Sequence, residues 1–381
     1  MTKRTGLFTW VTTLLILGLA ACGGGGGDGG GGGGGGGLPS ASNSAITAPP
    51  STSVAITAGG AATSNTNKSI AANSYQASDA PLKNTAVSAA LAELPVGVQA
   101  ANSGAPALPD KLVALVRREA QKIRDHQASA TGVLQAQPTQ ACAVSGTKTS
   151  AFDDANGNFT EVFVNCNEGG EVTHGTLSAS NVVVGQNLGS SAGDPYSISV
   201  TATFSIDLSI TTAQPASSVV TQGALTFTVS VSGLMEAAAD GSVVPGAPSQ
   251  IHIALDIPSL LSQTVDQNGT VRERVSSFSI MIDSNDVSGK TVTGHYTYAS
   301  TAIGAGGGTV VVKILSPIVT PPGASDPNMG TVEITSPPSP GKIVLNVVSS
   351  AAGVTVNVYA NASDPSPTDI IPVAWATLNG L

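Results

Sequence analysis

The chain has 381 residues and a net charge of −9, with 10% charged and 41% hydrophobic residues. A chain this acidic and this poor in Lys and Arg argues against nucleic acid and against a polybasic membrane patch. Aromatics are only 4%, which is thin for a platform that stacks sugars or bases. About 270 residues lie beyond the low-complexity part, enough for one large or two small domains.

Lys3-Arg4 precede an apolar run from Leu7 that closes on Leu19-Ala20-Ala21-Cys22. A basic start, a short apolar core and a small-residue site make an export signal. The run is too short to cross a bilayer, which takes about 20 residues. The four closing residues resemble the lipobox of bacterial lipoproteins. That resemblance implies cleavage between Ala21 and Cys22, with diacylglycerol on the Cys22 thiol and an acyl chain on its new amino terminus. It implies no other cofactor. Gly23 stands where that family carries Asp for inner-membrane retention, which implies the outer membrane, at the periplasmic face or the cell surface.

Gly23 to Gly37 are all glycine except Asp28. Such a run brings no side chain to bury and loses the most backbone entropy on ordering. Residues 38–80 continue in Ser, Thr, Ala, Asn, Pro and Gly, so 22–80 are expected to form the lipidated cysteine and a disordered tether. If Gly23 to Pro109 were all coil, its reach would be about 50 Å.

Residues 81–128 have helical character. The stretch 81–94 starts at Pro81, ends before Pro95, and gathers Val87, Ala90, Leu91 and Leu94 on one side. In 110–127, Asp110 offers an N-cap, and Leu112, Leu115, Val116 and Ile123 form a stripe opposite Arg117, Arg118, Gln121 and Arg124. Such a helix can lie on a membrane, but Glu119 and Asp125 dilute its positive face, and packing on a core is favoured.

Cys142 and Cys166 are the cysteines that remain. In an oxidising compartment they are expected to pair, closing a loop of about 25 residues that contributes roughly 3.5 kcal/mol. A metal site is not expected: there is no C-x-x-C, and His174 stands eight residues beyond Cys166.

After Cys142 the period changes from 3.6 to 2. Tyr196, Ile198, Val200, Ala202, Phe204, Ile206, Leu208 and Ile210 alternate with Ser, Thr and Asp207. A loop is read over Thr211–Ser218, after which Leu225, Phe227, Val229 and Val231 alternate with Thr226, Thr228 and Ser230. This predicts a long antiparallel hairpin, apolar on one face and hydroxylated on the other. Further strands are predicted at Ile251–Ile257, Val271–Ile282 with a bulge at Ser276-Ser277, Val292–Tyr298, Val310–Ile314, Thr331–Ile334, Ile343–Val347 and Val354–Val358. No βαβ alternation occurs, so 129–381 are expected to be all-β: a curved antiparallel meander or sandwich, part of its apolar face covered by the 110–127 helix. A transmembrane barrel would also alternate on a period of two, but the aromatics are too few for two interfacial girdles.

The order of these features is similar to that of a set of largely uncharacterised proteobacterial lipoproteins. The features are the lipobox, the glycine tether, the Ala-rich helical section, Cys142 followed by Gly146, and Phe163-Val164-Asn165-Cys166. Gly169-Gly170, Gly175-Thr176-Leu177, the closing Gly330-Thr331-Val332-Glu333-Ile334 and Trp375 complete it. The resemblance implies an exported, disulfide-bearing β-rich domain, and no activity comes with it.

Several strings touch on known chemistry. Gly189-Ser190-Ser191-Ala192-Gly193 matches G-x-S-x-G, but a strand follows where the nucleophile elbow needs a helix. Asp153-Asp154-Ala155-Asn156-Gly157-Asn158 misplaces the glycine of a calcium loop and reads as a turn. Gly304-Ala305-Gly306-Gly307-Gly308-Thr309 lacks the last glycine of a dinucleotide fingerprint and precedes a strand, so it reads as a loop. His126, His174, His252 and His295 show no ligand spacing and read as surface histidines.

The expected function is non-enzymatic: a lipid-anchored outer-membrane protein that meets a surface or envelope macromolecule. The alternative is a carrier for an apolar ligand, with an open cavity lined by Phe204, Ile206, Leu225 and Phe227. Oligomeric state is left open.

Overall fold

The computed structural model describes residues 40–77, 135–136, 139–153, 158–213, 216–237, 241, 243–285, 287–304 and 306–378. The expected helices in 81–128, residues 1–39 with Cys22, and His126 lie outside the described residues.

Among the described residues, fifteen strands form one open, curved antiparallel sheet in which chain neighbours from β2 onward are sheet neighbours and β1 also pairs with β3. They are β1 (Gln135–Ala136), β2 (Gln140–Ala141), β3 (Ser145–Asp153), β4 (Asn158–Asn167) and β5 (Glu171–Asn187). Next come β6 (Pro195–Ala213), β7 (Ala216–Ala237), β8 (Val243–Asp266), β9 (Gly269–Asn285) and β10 (Gly289–Ser300). The sheet ends with β11 (Gly308–Thr320), β12 (Met329–Thr335), β13 (Lys342–Ser349), β14 (Gly353–Tyr359) and β15 (Asp369–Val373). Among the described residues, helices α1 (Gly60–Gln76) and α2 (Trp375–Leu378) accompany it. Among the described residues β15 pairs with β14 alone, so the sheet does not close into a barrel.

The alternation read from the sequence sets the faces. On β6, Tyr196, Ile198, Val200, Ala202, Phe204, Ile206 and Leu208 are all buried. They meet like residues on β7: Ile198 faces Val231, Val200 faces Val229, and Phe204 faces Leu225. Farther along the sheet, Tyr296 faces Val312, Val312 faces Ile334, Ile334 faces Ile343, and Ile343 faces Val358. These side chains belong to one buried cluster. A register slip of one residue would turn every one of them outward, so the pattern fixes the pairing.

The expected bulge lies at Ser277, which has a positive φ of 48° and shifts the register of β9 against β10. The loop read over Thr211–Ser218 is a correction. Thr211 pairs with Ser218 and Ala213 with Ala216, so the β6–β7 ladder continues through the stretch read as a loop, as far as residues 214–215, which lie outside the described residues. Hydroxyl pairs sustain the ladder there, Thr212 with Ser217 at 2.8 Å among them, where no apolar alternation marked a strand.

The tether expected over 22–80 is also corrected, for residues 40–77. Residues 40–59 run along the sheet without regular secondary structure apart from a bridge between Ser53 and Thr309, and α1 follows. Val54, Ile56, Ile70, Ala71 and Ala72 are buried in the main cluster. Low-complexity composition predicts disorder because few large apolar groups can be buried. Here the segment is held largely through its backbone, whose N–H and C=O groups find partners on the sheet.

Candidate functional site: the hydroxyl face and the N-terminal clasp

Two surfaces stand out, and both involve the outer face of β5–β7. On the face away from the core, Ser197, Ser199, Thr201 and Thr203 of β6 stand opposite Ser232, Ser230, Thr228 and Thr226 of β7. The threonine hydroxyls pair across the strands, Thr201 with Thr228 at 3.0 Å and Thr203 with Thr226 at 3.1 Å. Neighbouring strands extend the array with Ser178 and Ser180 of β5 and with His252 and Asp256 of β8. The result is a row-and-column array of short polar groups on the outer face of the sheet, able to exchange hydrogen bonds with a polar polymer.

Residues 41–46 lie on the same face near one end of the sheet. The Asp207 carboxylate accepts from Asn43 N–H at 3.1 Å, from Asn43 Nδ2 at 3.2 Å and from Gln222 Nε2 at 3.0 Å. Gln222 also accepts from Ile46 N–H at 2.9 Å and donates to the Ser44 carbonyl, while Thr176 donates to the Ala41 carbonyl. The segment then follows the end of the sheet formed by the β10–β11, β12–β13 and β14–β15 loops. Thr309 N–H donates to the Thr52 carbonyl, Val54 N–H to Ser336 Oγ at 2.6 Å, and Ile56 N–H to Ser339 Oγ. Gly59 N–H, at the start of α1, donates to the Asp369 carboxylate at 2.7 Å, which places an anion at a helix N-terminus. α1 lies against β12–β14. Its last turn meets the Tyr296 hydroxyl through the Ser74 carbonyl, and Tyr75 and Trp375 have ring centroids 6.1 Å apart.

Asn43, Asp207, Gln222, Ser336 and Asp369 were not singled out in the sequence. Their trace is in the glycines. A Cβ on Gly175 would lie 1.9 Å from the Asp207 carbonyl and 2.7 Å from Asn43 Nδ2. One on Gly308 would lie 2.6 Å from Val54 Cγ2, and one on Gly341 would lie 2.4 Å from the Ile56 carbonyl. Of the run Gly304–Gly308 read as a loop, Gly308 opens β11, and the missing Cβ atoms of Gly304 and Gly308 let Val54 pass close by.

The remaining sequence candidates fall as follows. Cys142 and Cys166 form the expected disulfide, with Cα atoms 5.4 Å apart. Gly146 and Asn165 sit beside it: Gly146 has φ 82° and a Cβ there would overlap the Asn165 carbonyl, which explains the glycine. Glu168 lies against the two sulfurs, but sulfurs joined to each other are not thiolate ligands. Ser190 and Ser191 lie in the β5–β6 hairpin loop, where both N–H groups donate to the Asp194 carboxylate. Residues 154–157 lie outside the described residues, between Asp153 and Asn158, which pair with each other. His252 Nδ1 meets Asp283 at 2.7 Å on the exposed face, across β8–β9 rather than along the strand towards Asp256. His295 stands opposite Ser279 and Lys313, and His174 lies partly buried on β5.

Phe204 and Leu225 have no accessible surface, and Ile206 and Phe227 keep 2% and 3%. A side chain lining a space large enough for water would show accessible area, and the Phe204 and Phe227 rings are in contact at 5.7 Å between centroids. These four side chains fill their part of the core.

No protein-family model matches the chain, and no curated protein or solved structure shows a significant match.

Proposed function

We propose that the protein is a lipid-anchored outer-membrane protein with a non-enzymatic role in surface interaction or envelope structure, presenting the hydroxyl face of β5–β8 to an envelope macromolecule. The anchor is Cys22, carrying diacylglycerol and an acyl chain. The observation that carries this reading is the seating of residues 40–46 on that face. It joins the chain to the domain at Ser40, leaving 17 residues (23–39) after Cys22. A coil of that length has a reach of about 23 Å and cannot exceed about 60 Å. Were these 17 residues coil, the reach of about 50 Å expected to Pro109 would shorten and bring the domain beside the lipid surface, its hydroxyl face next to the tether. The carrier reading finds no support in Phe204, Ile206, Leu225 and Phe227, which pack without space between them.

Protease shaving of intact cells tests the location, with a periplasmic protein as leakage control. Digestion of the domain supports contact with a partner outside the cell. Protection confines the hydroxyl face to partners within the envelope. Recovery of the full-length chain, signal included, from the soluble fraction would overturn the reading.

A further inference from the structure

The seat of residues 40–77 is built differently from the rest of the core. Across residues 40–77, the buried large apolar side chains are Val54, Ile56 and Ile70. On β6 alone there are six: Tyr196, Ile198, Val200, Phe204, Ile206 and Leu208. The inward face of α1 carries Asn67 and Ser74, at 1% and 0% exposure. Asn67 Oδ1 and Ser74 Oγ find no hydrogen-bond partner among the described residues, so each gives up hydration without return. The helix also starts at Gly59 without a side-chain cap of its own, borrowing Asp369 from β15. Every strand of β5–β9, by contrast, is paired on both sides by a long antiparallel ladder, interrupted only at bulges.

We propose that residues 40–77 are a releasable clasp. Docked, it straps one end of the open sheet from β5 to β15. It opens as a unit, ahead of global unfolding, and uncovers the faces of β12–β14, Tyr296 and Trp375. The device is sited where it would be used. The chain enters the clasp at Ala41–Asn43, so a pull from the amino-terminal side loads the Asn43–Asp207 contact before any strand ladder. A docked clasp and a released clasp are thus two states of one domain, and the balance between them is set at the outer-face contacts of Asn43 and Gln222. The clasp itself stands whether or not Cys22 is lipidated.

Hydrogen exchange on the intact folded protein, followed by mass spectrometry over a series of low urea concentrations, tests this. Peptides from α1 should exchange at least about tenfold faster than those from β6 and β7, and with a smaller urea dependence, the mark of sub-global opening. Asn43→Ala should raise exchange across 40–77 several-fold while β6 and β7 keep their rates away from residue 207. Equal protection and equal urea dependence in α1 and β6–β7 would overturn the proposal. So would an Asn43→Ala protein in which all regions speed up together, because the segment would then be an inseparable part of the core.

Discussion

Phe204→Ala, set against Thr203→Ala, tests the phase on which the whole sheet rests. The two residues are neighbours on β6, so they share strand, depth along the sheet and distance from the turn. Phe204 has no accessible surface, faces Leu225 and touches the Phe227 ring. Truncating a phenylalanine in such a place costs about 3–5 kcal/mol, from lost transfer energy and from the cavity left behind. The ring pair accounts for about 0.5–1.5 kcal/mol of that, and a double-mutant cycle with Phe227→Ala isolates it. Thr203 points the other way and is partly exposed; it loses one hydroxyl pair with Thr226, worth about 1 kcal/mol or less. Urea unfolding followed by circular dichroism gives both numbers on one preparation. Equal losses, or a Phe204→Ala loss below about 1 kcal/mol, would show that the described register is not the one in solution.

Replacing both Cys142 and Cys166 by Ala should cost about 3.5 kcal/mol on the chain-entropy model for a 25-residue loop, read as a lower urea midpoint. Free-thiol labelling of both cysteines in the folded exported protein would refute the pairing. Burial, then the Glu273 carboxylate that accepts its hydrogen bond, pushes the Tyr298 phenol well above its usual range. A raised folded-state value means the stabilisation is full below about pH 10 and is lost as pH climbs beyond it. Wild type should therefore lose stability above about pH 10 more steeply than Tyr298→Phe, and equal slopes would contradict the assignment. Gly308→Val places a side chain against Val54 and the Thr52 carbonyl. It should raise protease sensitivity within 40–77 while leaving the β6–β7 exchange rates unchanged, and unaltered cleavage would refute the close approach.

The β6–β7 hairpin was legible because it alternates without interruption and both faces are chemically pure. The Ser277 bulge was legible from the jump in phase between Val275 and Phe278. Residues 211–218 were not, because Ser and Thr on both faces leave no period to read. The clasp was hidden for a deeper reason. Its partners are Asp207, Gln222, Ser336 and Asp369, more than 160 residues away in every case, and local composition carries no trace of them. Helix α1 illustrates the point: Gly59 offers no cap and Ile70 is the one large aliphatic on its buried face, so neither boundary nor stripe announces it. What the sequence held was indirect, in glycines whose missing Cβ leaves room for a strap that composition alone assigned to disorder.

Metabolic labelling with an alkyne palmitate, followed by mass spectrometry of the amino-terminal peptide, tests the proposed anchor most directly. The account predicts label on wild-type protein in the membrane fraction, a mature chain beginning at Cys22, and loss of both in Cys22→Ser. A wild-type chain that takes up no label, or a Cys22→Ser chain that keeps it, would contradict the anchor and with it the placement of this sheet beside a lipid surface.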